Sequence, residues 1–229
     1  MKTCHYCSSN SLICKGKRGL IQRYYCKSCH KYQQDMYRYR LYDPKDDKMI
    51  KLYHCEGLGI RSISRILGYS SNTIMRRILF LGFSVTKPAY LESNQIYEVD
   101  ELCTYVGRNH SSHHKWIIYA INRSTKTVVD VAIGSRSRDN IGKVIGTIKS
   151  LNPRKIITDK LPVYVNLIQP IKHDTHRYSN NHIERGNLTL RTHIKRLFRK
   201  TICYSKNLNM LKASILLYLD HRNWKLDAL

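Results

Sequence analysis

"QIYEVDELCTYVG", residues 95–107, alternates apolar and polar side chains at period two, which predicts a half-buried β-strand. Period two places Glu98 and Asp100 on one face and Glu101 on the other. An acid set among Ile96, Val99 and Leu102 is costly to bury unless something neutralises it. The stretch therefore predicts a sheet strand and, with it, a nearby positive charge.

Working outward, "KWIIYAINR" (115–123) and "KTVVDVAIGS" (126–135) read as two more strands joined by polar turns. A helix follows through "RDNIGKVIGTIKSL" (138–151), then a short apolar strand, "RKIITD" (154–159), and a proline-bearing loop. "NNHIERGNLTLRTHIKRLFRKT" (180–201) opens another helix, with Ile183, Leu190, Ile194 and Leu197 as its apolar stripe. The last helix is "NLNMLKASILLYLDHRN" (207–223). Three strands, helix, strand and helix, with acids at strand positions, predict a mixed α/β domain of ribonuclease-H-like type.

Asp159 sits where the apolar run "KIIT" ends, a favoured place for chemistry on an α/β sheet. Glu184 is the single acid in residues 180–201, followed by Arg185, Arg191, Lys195, Arg196, Arg199 and Lys200. Asp100, Asp159 and Glu184 brought together would repel one another, so they need cations between them. Hard carboxylate oxygens favour Mg²⁺ or Mn²⁺, and two ions about 3.5–4 Å apart can activate an attacking oxygen and stabilise a leaving one. Glu98 and Glu101 are alternatives at the first position. Each acid also has an ordinary role available: Asp100 paired across strands, Asp159 capping a turn, Glu184 favoured by a helix dipole.

The 229 residues suffice for one good core plus a small appended module. Lys and Arg number 40 against 16 Asp and Glu, a formal charge of +24. Both parts share the excess, with 17 basic and 6 acidic residues before position 95 and 23 and 10 after it. Such a chain calls for a polyanion, and nucleic acid is the commonest. Seventeen tyrosines against three phenylalanines add stacking and phosphate-contacting capacity. No apolar run approaches the roughly 20 residues that cross a bilayer, and no secretory signal opens the chain. The expected location is cytoplasmic, in a bacterial nucleoid, with no membrane partner.

In that compartment eight cysteines argue for metal or free thiols. Cys4-x-x-Cys7 and Cys26-x-x-Cys29, with 18 residues between them, have the spacing of two zinc knuckles around one structural, closed Cys4 site. The intervening "LIQRYYC" (20–26) suits a zinc ribbon over residues 1–40; His5, His30 and Cys14 are alternative ligands. Cys55, Cys103 and Cys203 sit in apolar patterns and are expected in the core.

Residues 41–82 carry a helix-turn-helix pattern. "KDDKMIKLYHCEG" (45–57) and "GIRSISRILG" (59–68) are helical, and after the Gly68-Tyr69 turn Ser70 or Ser71 caps a third helix with Ile74, Ile78 and Leu81 inward. Asn72, Thr73, Arg76 and Arg77 then face outward toward a DNA major groove. "FSVTKPAYLESN" (83–94) reads as a linker to a catalytic domain over 95–229.

With these residues in hand, the chain resembles the insertion sequence one family of bacterial transposases over nearly its whole length. The resemblance rests on the cysteine module, the helix-turn-helix segment, "VDELCTYVG", "WIIYA", "TDKLPVY" and, most specifically, "IERGNLTLRTHIKRLFRKT" followed by "YSK". It implies a transposase with Asp100, Asp159 and Glu184 as a metal-binding DDE triad, and recognition of terminal inverted repeats in double-stranded DNA by the N-terminal part. It also implies end cleavage by water, then strand transfer by the freed 3′-hydroxyl, with no nucleotide cofactor. Arg185, Asn187, Arg191, Lys195 and Arg199 are expected to position DNA phosphates. Two reading frames are fused by frameshifting in many members; here they are continuous, which implies the whole enzyme. The family commonly has tryptophan where this chain has Cys103 and Leu161. Pairing two element ends calls for at least two protomers.

Two rival readings use the same residues. His182-x-x-Arg185, with Tyr204 or Tyr218 downstream, has the spacing of a tyrosine recombinase, which needs no divalent metal but leaves Asp100 without a role. A non-catalytic zinc and helix-turn-helix regulator of DNA would not need the three acids together.

Overall fold

The computed structural model describes residues 2–37, 39–86, 92–107, 113–176, 179–198 and 202–227, with side chains described to residue 223. The N-terminal strands β1 (Leu12–Arg18), β2 (Ile21–Cys26) and β3 (Tyr32–Gln34) form an antiparallel sheet in the order β1-β2-β3. After a single 3₁₀ turn at Pro44–Asp46 come α1 (Asp47–Cys55), α2 (Ile60–Leu67) and α3 (Ser71–Phe83). The short turn has local causes. Gly68 adopts φ 71°, the left-handed conformation that ends α2, and the Ser70 hydroxyl accepts the Thr73 N–H at 3.1 Å to start α3.

The main sheet comprises β4 (Ile96–Tyr105), β5 (His114–Asn122), β6 (Val128–Gly134), β7 (Lys155–Ile157) and β8 (His173–Asp174), ordered β6-β5-β4-β7-β8. Hairpins make β4, β5 and β6 antiparallel, while β7 and β8 run parallel to β4. A parallel neighbour requires a crossover, supplied by α4 (Arg138–Ser150) between β6 and β7. α5 (Pro162–Ile168), α6 (Asn181–His193) and α7 (Leu208–Asp227) complete the chain. This is the mixed α/β architecture expected from the strand and helix pattern.

Period two divides the core between the two faces of this sheet. Tyr97, Val99, Ile118 and Ala120 pack with Ile141, Ile145 and Ile148 of α4 and Tyr164 of α5. Leu102, Ile117, Tyr119 and Ile121 pack on the other side with Ile183 and Leu190 of α6 and Leu211 and Ile215 of α7. The same second cluster includes Ile50, Ile63, Ile74 and Ile78 from α1, α2 and α3. Those three helices therefore share a core with α7. Lys51 pairs with Asp220 at 2.5 Å, and the Cys55 thiol reaches the Leu217 carbonyl at 3.6 Å.

The closest approach is at Gly82, where a Cβ would lie 2.4 Å from the Ala213 carbonyl oxygen and 2.6 Å from its Cα. Backbone cannot yield as a side-chain tip can. Gly82→Ala is expected to cost about 3 kcal/mol through forced separation of α3 and α7, lowering Tm by about 6–12 °C for a chain of this size. An unchanged midpoint in thermal unfolding would show that the two helices do not meet there.

Several local expectations need correction. The segment after Asp159 is not all loop: Pro162 occupies the first turn of α5, where its missing N–H costs nothing, and β-branched Val163 and Val165 mask the helix in the sequence. α6 stops at His193, then one 3₁₀ turn spans Lys195–Leu197. β-branched Thr192 and Ile194 weaken the last turn, yet Ile194 and Leu197 stay buried as the stripe predicts. Cys55 is buried, but Cys103 is half-buried and Cys203 exposed, so two of the three expected core cysteines are not core. Of the expected linker, residues 87–91 lie outside the described residues, as does Arg199.

Candidate active site and metal centres

Parallel pairing sets Glu98 opposite Ile157, the last residue of β7, and just beyond that end the carboxylates of Asp100 and Asp159 come together. The Asp100 Oδ1 accepts the Glu101 N–H at 2.8 Å, and its Oδ2 accepts Asn187 Nδ2 from α6 at 2.7 Å. Asp159 Oδ1 accepts the Leu161 N–H at 3.0 Å, which ties it to the start of α5. Carboxylate oxygens of Asp100, Glu101 and Asp159 all lie within 4.8 Å of one another.

These acids differ in what already balances them. Glu101, with 1% of its side chain exposed, accepts the Tyr164 hydroxyl at 2.8 Å and pairs with Arg136 at 3.0 Å. Arg136 lies over the Trp116 ring at 4.5 Å and approaches Asp159 Oδ2 at 3.9 Å. Among the described residues Asp100 has no cationic partner of this kind. Burial, and then the charges of Glu101, Asp159 and Glu184, push its carboxyl up to about 6, against a lowering pull from the Glu101 N–H. A carboxylate disfavoured in this way is stabilised by a divalent cation bound among hard oxygen donors, so the donor set fits Mg²⁺ or Mn²⁺.

Glu98 meets the expectation of a buried acid with a neutraliser. Its side chain is 0% exposed, Oε1 accepts Arg123 Nη1 at 2.7 Å, and Oε2 accepts the Ile183 N–H at 2.9 Å. Arg123 also donates to the Ser179 carbonyl. Glu98 Oε2 therefore fastens the first turn of α6 to β4, and Oε1 holds Arg123, which anchors the segment leading into that helix at Ser179. Gly186 lets α6 lie close to the sheet, since a Cβ there would come within 2.8 Å of the Tyr119 hydroxyl oxygen.

Glu184 stands in that first turn and is exposed. It falls outside the three-acid set defined by 4.8 Å separations, while its charge still acts on Asp100. The structure thus brings Asp100 and Asp159 together, adds Glu101, and leaves Glu184 at the margin. Asn187 departs from its expected place on DNA phosphate, because its amide is bonded to Asp100. One turn after Glu184 on a sheet-facing helix, it could have been read as a neighbour of the acids. Arg136 carried no usable sequence signal, since its partners lie on β4, β5 and the end of β7.

In the N-terminal part, Cys4, Cys7, Cys26 and Cys29 place all four sulfurs within 4.8 Å of one another. Cys4–Cys29 and Cys7–Cys26 are each 3.6 Å apart, close to the edge of about 3.8 Å that a tetrahedron with Zn–S of about 2.3 Å requires. The main-chain N–H groups of Cys29 and Ser28 lower the Cys26 thiol, while burial raises that of Cys29 beside it. Cys14 lies outside the cluster, and the His30 ring is bonded to the Tyr25 hydroxyl at 2.8 Å.

Residues 95–225, which span the main sheet and its helices, match the IS1 transposase family. The chain belongs to that family. Insertion element iso-IS1n protein InsB of Shigella dysenteriae is 33% identical over 125 residues, 55% of this chain and 94% of that protein. Insertion element IS1 4 protein InsB of Escherichia coli K12 is 31% identical over 128 residues, 56% and 75% of the respective chains. Among solved structures, the magnesium-bound HTLV-2 integrase catalytic core (trimeric form) aligns with TM-score 0.38 and 18% identity, over 54% of this chain and 84% of its own. The simian T-cell lymphotropic virus intasome aligns at 0.39 and 16%, over 74% and 66%. The protein is a DDE-type transposase, a polynucleotidyl transferase.

In this transposase the expected DNA-facing residues divide by what they already touch. Asn72 and Arg76 are exposed on α3, while Thr73 is half-buried with its hydroxyl on Ser70 at 2.8 Å. Arg77 is committed elsewhere: it pairs bidentately with Asp47 at 3.0 and 2.5 Å and lies over the Tyr42 and Phe80 rings. Arg185 and Lys195 are exposed, and Arg191 is half-buried two turns beyond Glu184. Arg196 is drawn inward and donates to the Ser205 hydroxyl at 3.1 Å. Among the described residues, no helix is long and apolar enough to cross a membrane.

Proposed function

We propose that this transposase binds the terminal inverted repeats of its element and performs divalent-metal-dependent end cleavage and strand transfer through Asp100, Asp159 and Glu184. The observation that carries the reading is the meeting of Asp100 on β4 with Asp159, two residues past the end of the parallel β7, where Asp100 has no ion-pair partner among the described residues. Glu101 is held back by Arg136 and Tyr164, which leaves the exposed Glu184 as the third acid able to turn toward the pair. Bound between these carboxylates, Mg²⁺ or Mn²⁺ would supply Lewis-acid stabilisation of the phosphate and a more acidic attacking oxygen.

The chain's own residues do the rest. Asn187 orients Asp100, and the Glu98–Arg123 pair fixes the helix that carries Glu184. Arg185 and Arg191 of α6 and Lys195 of the 3₁₀ turn that follows supply cations along which phosphates would lie. Water attacks the phosphorus at the element end, the P–O bond breaks, and a 3′-hydroxyl is freed. That hydroxyl then attacks a target phosphodiester, forming one P–O bond as another breaks. At the N-terminal side, Asn72 and Arg76 of α3 contact the inverted repeat, beside a zinc ribbon held by Cys4, Cys7, Cys26 and Cys29. Two protomers pair the two ends.

A tyrosine nucleophile fits poorly. Tyr218 is 5% exposed, packed on His193, with burial raising its hydroxyl; the Tyr204 ring packs on Tyr105. The test is cleavage and joining of DNA carrying the element's own ends with Mg²⁺ or Mn²⁺. Asp159→Ala and Glu184→Ala are expected to lose both steps, while Tyr204→Phe and Tyr218→Phe keep them. A covalent protein–DNA adduct abolished by one tyrosine substitution would overturn the proposal.

A further inference from the structure

The zinc-ribbon sheet carries a feature that the cleavage chemistry does not use. A groove of about 320 Å³ is lined by Tyr6, Tyr32 and Tyr37, by Arg18 and Arg23, and by the amide side chains of Gln33 and Gln34. The three rings are 47%, 54% and 40% exposed, unusual for large side chains on so small a sheet. Cations accompany them: Lys31 Nζ lies 4.8 Å over the Tyr6 ring and the Arg23 guanidinium 5.5 Å over Tyr32. Tyr32 is held in place from its other neighbour, Tyr25, at 5.0 Å.

The charge around the groove has one sign. The first 42 residues contain nine Lys and Arg and a single acid, Asp35, and that acid is paired with Lys2. No acid lines the groove. Exposed rings alternating with cations match a chain that alternates flat bases with phosphates. In a duplex the base faces are already stacked on one another, so tyrosine rings gain little from them. In a single strand those faces are open, and each base stacked on an aromatic side chain contributes about 1–3 kcal/mol with little dependence on sequence.

We propose that this groove binds single-stranded DNA by stacking unpaired bases on Tyr6 and Tyr32, with Arg18 and Arg23 on the phosphates. The inference is independent of the metal-binding triad. It assigns the ribbon a task separate from duplex recognition by α3: holding unpaired strand next to an element end.

The experiment uses the full zinc-loaded chain in buffer without Mg²⁺ or Mn²⁺. Binding of a fluorescent twelve-nucleotide thymidine strand and of a twelve-base-pair duplex is followed by anisotropy. Tyr32→Ala and Tyr6→Ala are each expected to weaken the single strand about tenfold and the duplex less than twofold, with zinc content unchanged. Tyr32→Phe should bind the single strand within twofold of the parent, whereas Arg76→Ala should weaken only the duplex. Photocrosslinking with a 5-iodouracil strand, read by mass spectrometry on the unmodified chain, should label Tyr6 or Tyr32. Equal losses for single strand and duplex, no loss in either alanine variant, or crosslinks confined to other regions would each reject the groove.

Discussion

Asp100→Asn is expected to abolish end cleavage and strand transfer while making the metal-free protein more stable. The catalytic loss should be about 10³-fold or more, because a lost metal ligand removes several kcal/mol of transition-state charge stabilisation and each 1.36 kcal/mol is tenfold in rate. The stability gain follows from the same geometry. Burial and three neighbouring acids raise the Asp100 carboxyl from 3.8 to about 6. The folded state therefore holds this proton more tightly than the unfolded chain does. Stability is fully present below about pH 4, declines as the pH rises toward 6, and above that carries the whole cost of a charged Asp100.

Asparagine removes the charge, so its advantage should be absent near pH 4 and reach about 1–3 kcal/mol above pH 6.5. The substitution is tolerable sterically. An asparagine oxygen still accepts the Glu101 N–H, and the Asn187 amide can turn its buried Oδ1, unbonded among the described residues, toward the new NH₂. Mn²⁺ supplies a second readout. It should raise the melting temperature of the parent protein and leave the variant's unchanged, since only a site that binds metal gains from it. A variant that is less stable than the parent at pH 7.5, or that still responds to Mn²⁺, would remove Asp100 from the metal site.

How far the sequence could be read depended on the range of each interaction. Period two in residues 95–107 correctly separated Glu98 and Asp100 from Glu101, since strand alternation is a local property. It also implied that an acid buried in this strand needed a neutraliser, but Arg123, which serves Glu98, lies in the β5–β6 turn and no local pattern could choose it. Likewise, nothing near Glu101 marks Arg136 and Tyr164 as its partners, so the balance that separates Glu101 from Asp100 appears only in three dimensions. The docking of α1–α3 had a clearer signal. Leu211, Ala213, Ser214, Ile215, Leu217, Tyr218 and Leu219 are all buried, spanning about two thirds of the circumference of α7, with Lys212, Leu216 and Asp220 half-buried on the remaining side. An apolar arc wider than one neighbour can cover must be enclosed from more than one side, here by the sheet and by α1 and α3. The expected linker instead drew attention to separateness.

Removal of zinc, by chelation or by Cys26→Ser, is expected to unfold β1–β3 outright while α1–α7 and the main sheet keep their melting temperature. The sheet has strands of seven, six and three residues, and among described residues 2–37 the buried side chains are Cys4, Cys26 and Gln33. Among the described residues this part has no aliphatic cluster to sustain the fold, so four thiolates on one ion would be its core. Structural zinc in modules of this size contributes an apparent 10–16 kcal/mol, far more than the remaining hydrogen bonds can replace. One equivalent of zinc should be released by chelator, and trypsin should then cut after Lys15, Lys17 and Arg18, bonds protected in the loaded sheet. Differential scanning calorimetry separates the two parts, because the second core draws on α1–α3, α6 and α7 and on no residue of the ribbon. A single transition falling as one unit would mean that the ribbon is integral to the main core. Strands that survive in zinc-free protein would mean that the cysteines are not a metal site. If the ribbon alone melts, the stacking groove must vanish with it: zinc-free protein should lose single-strand binding while α3 still recognises duplex.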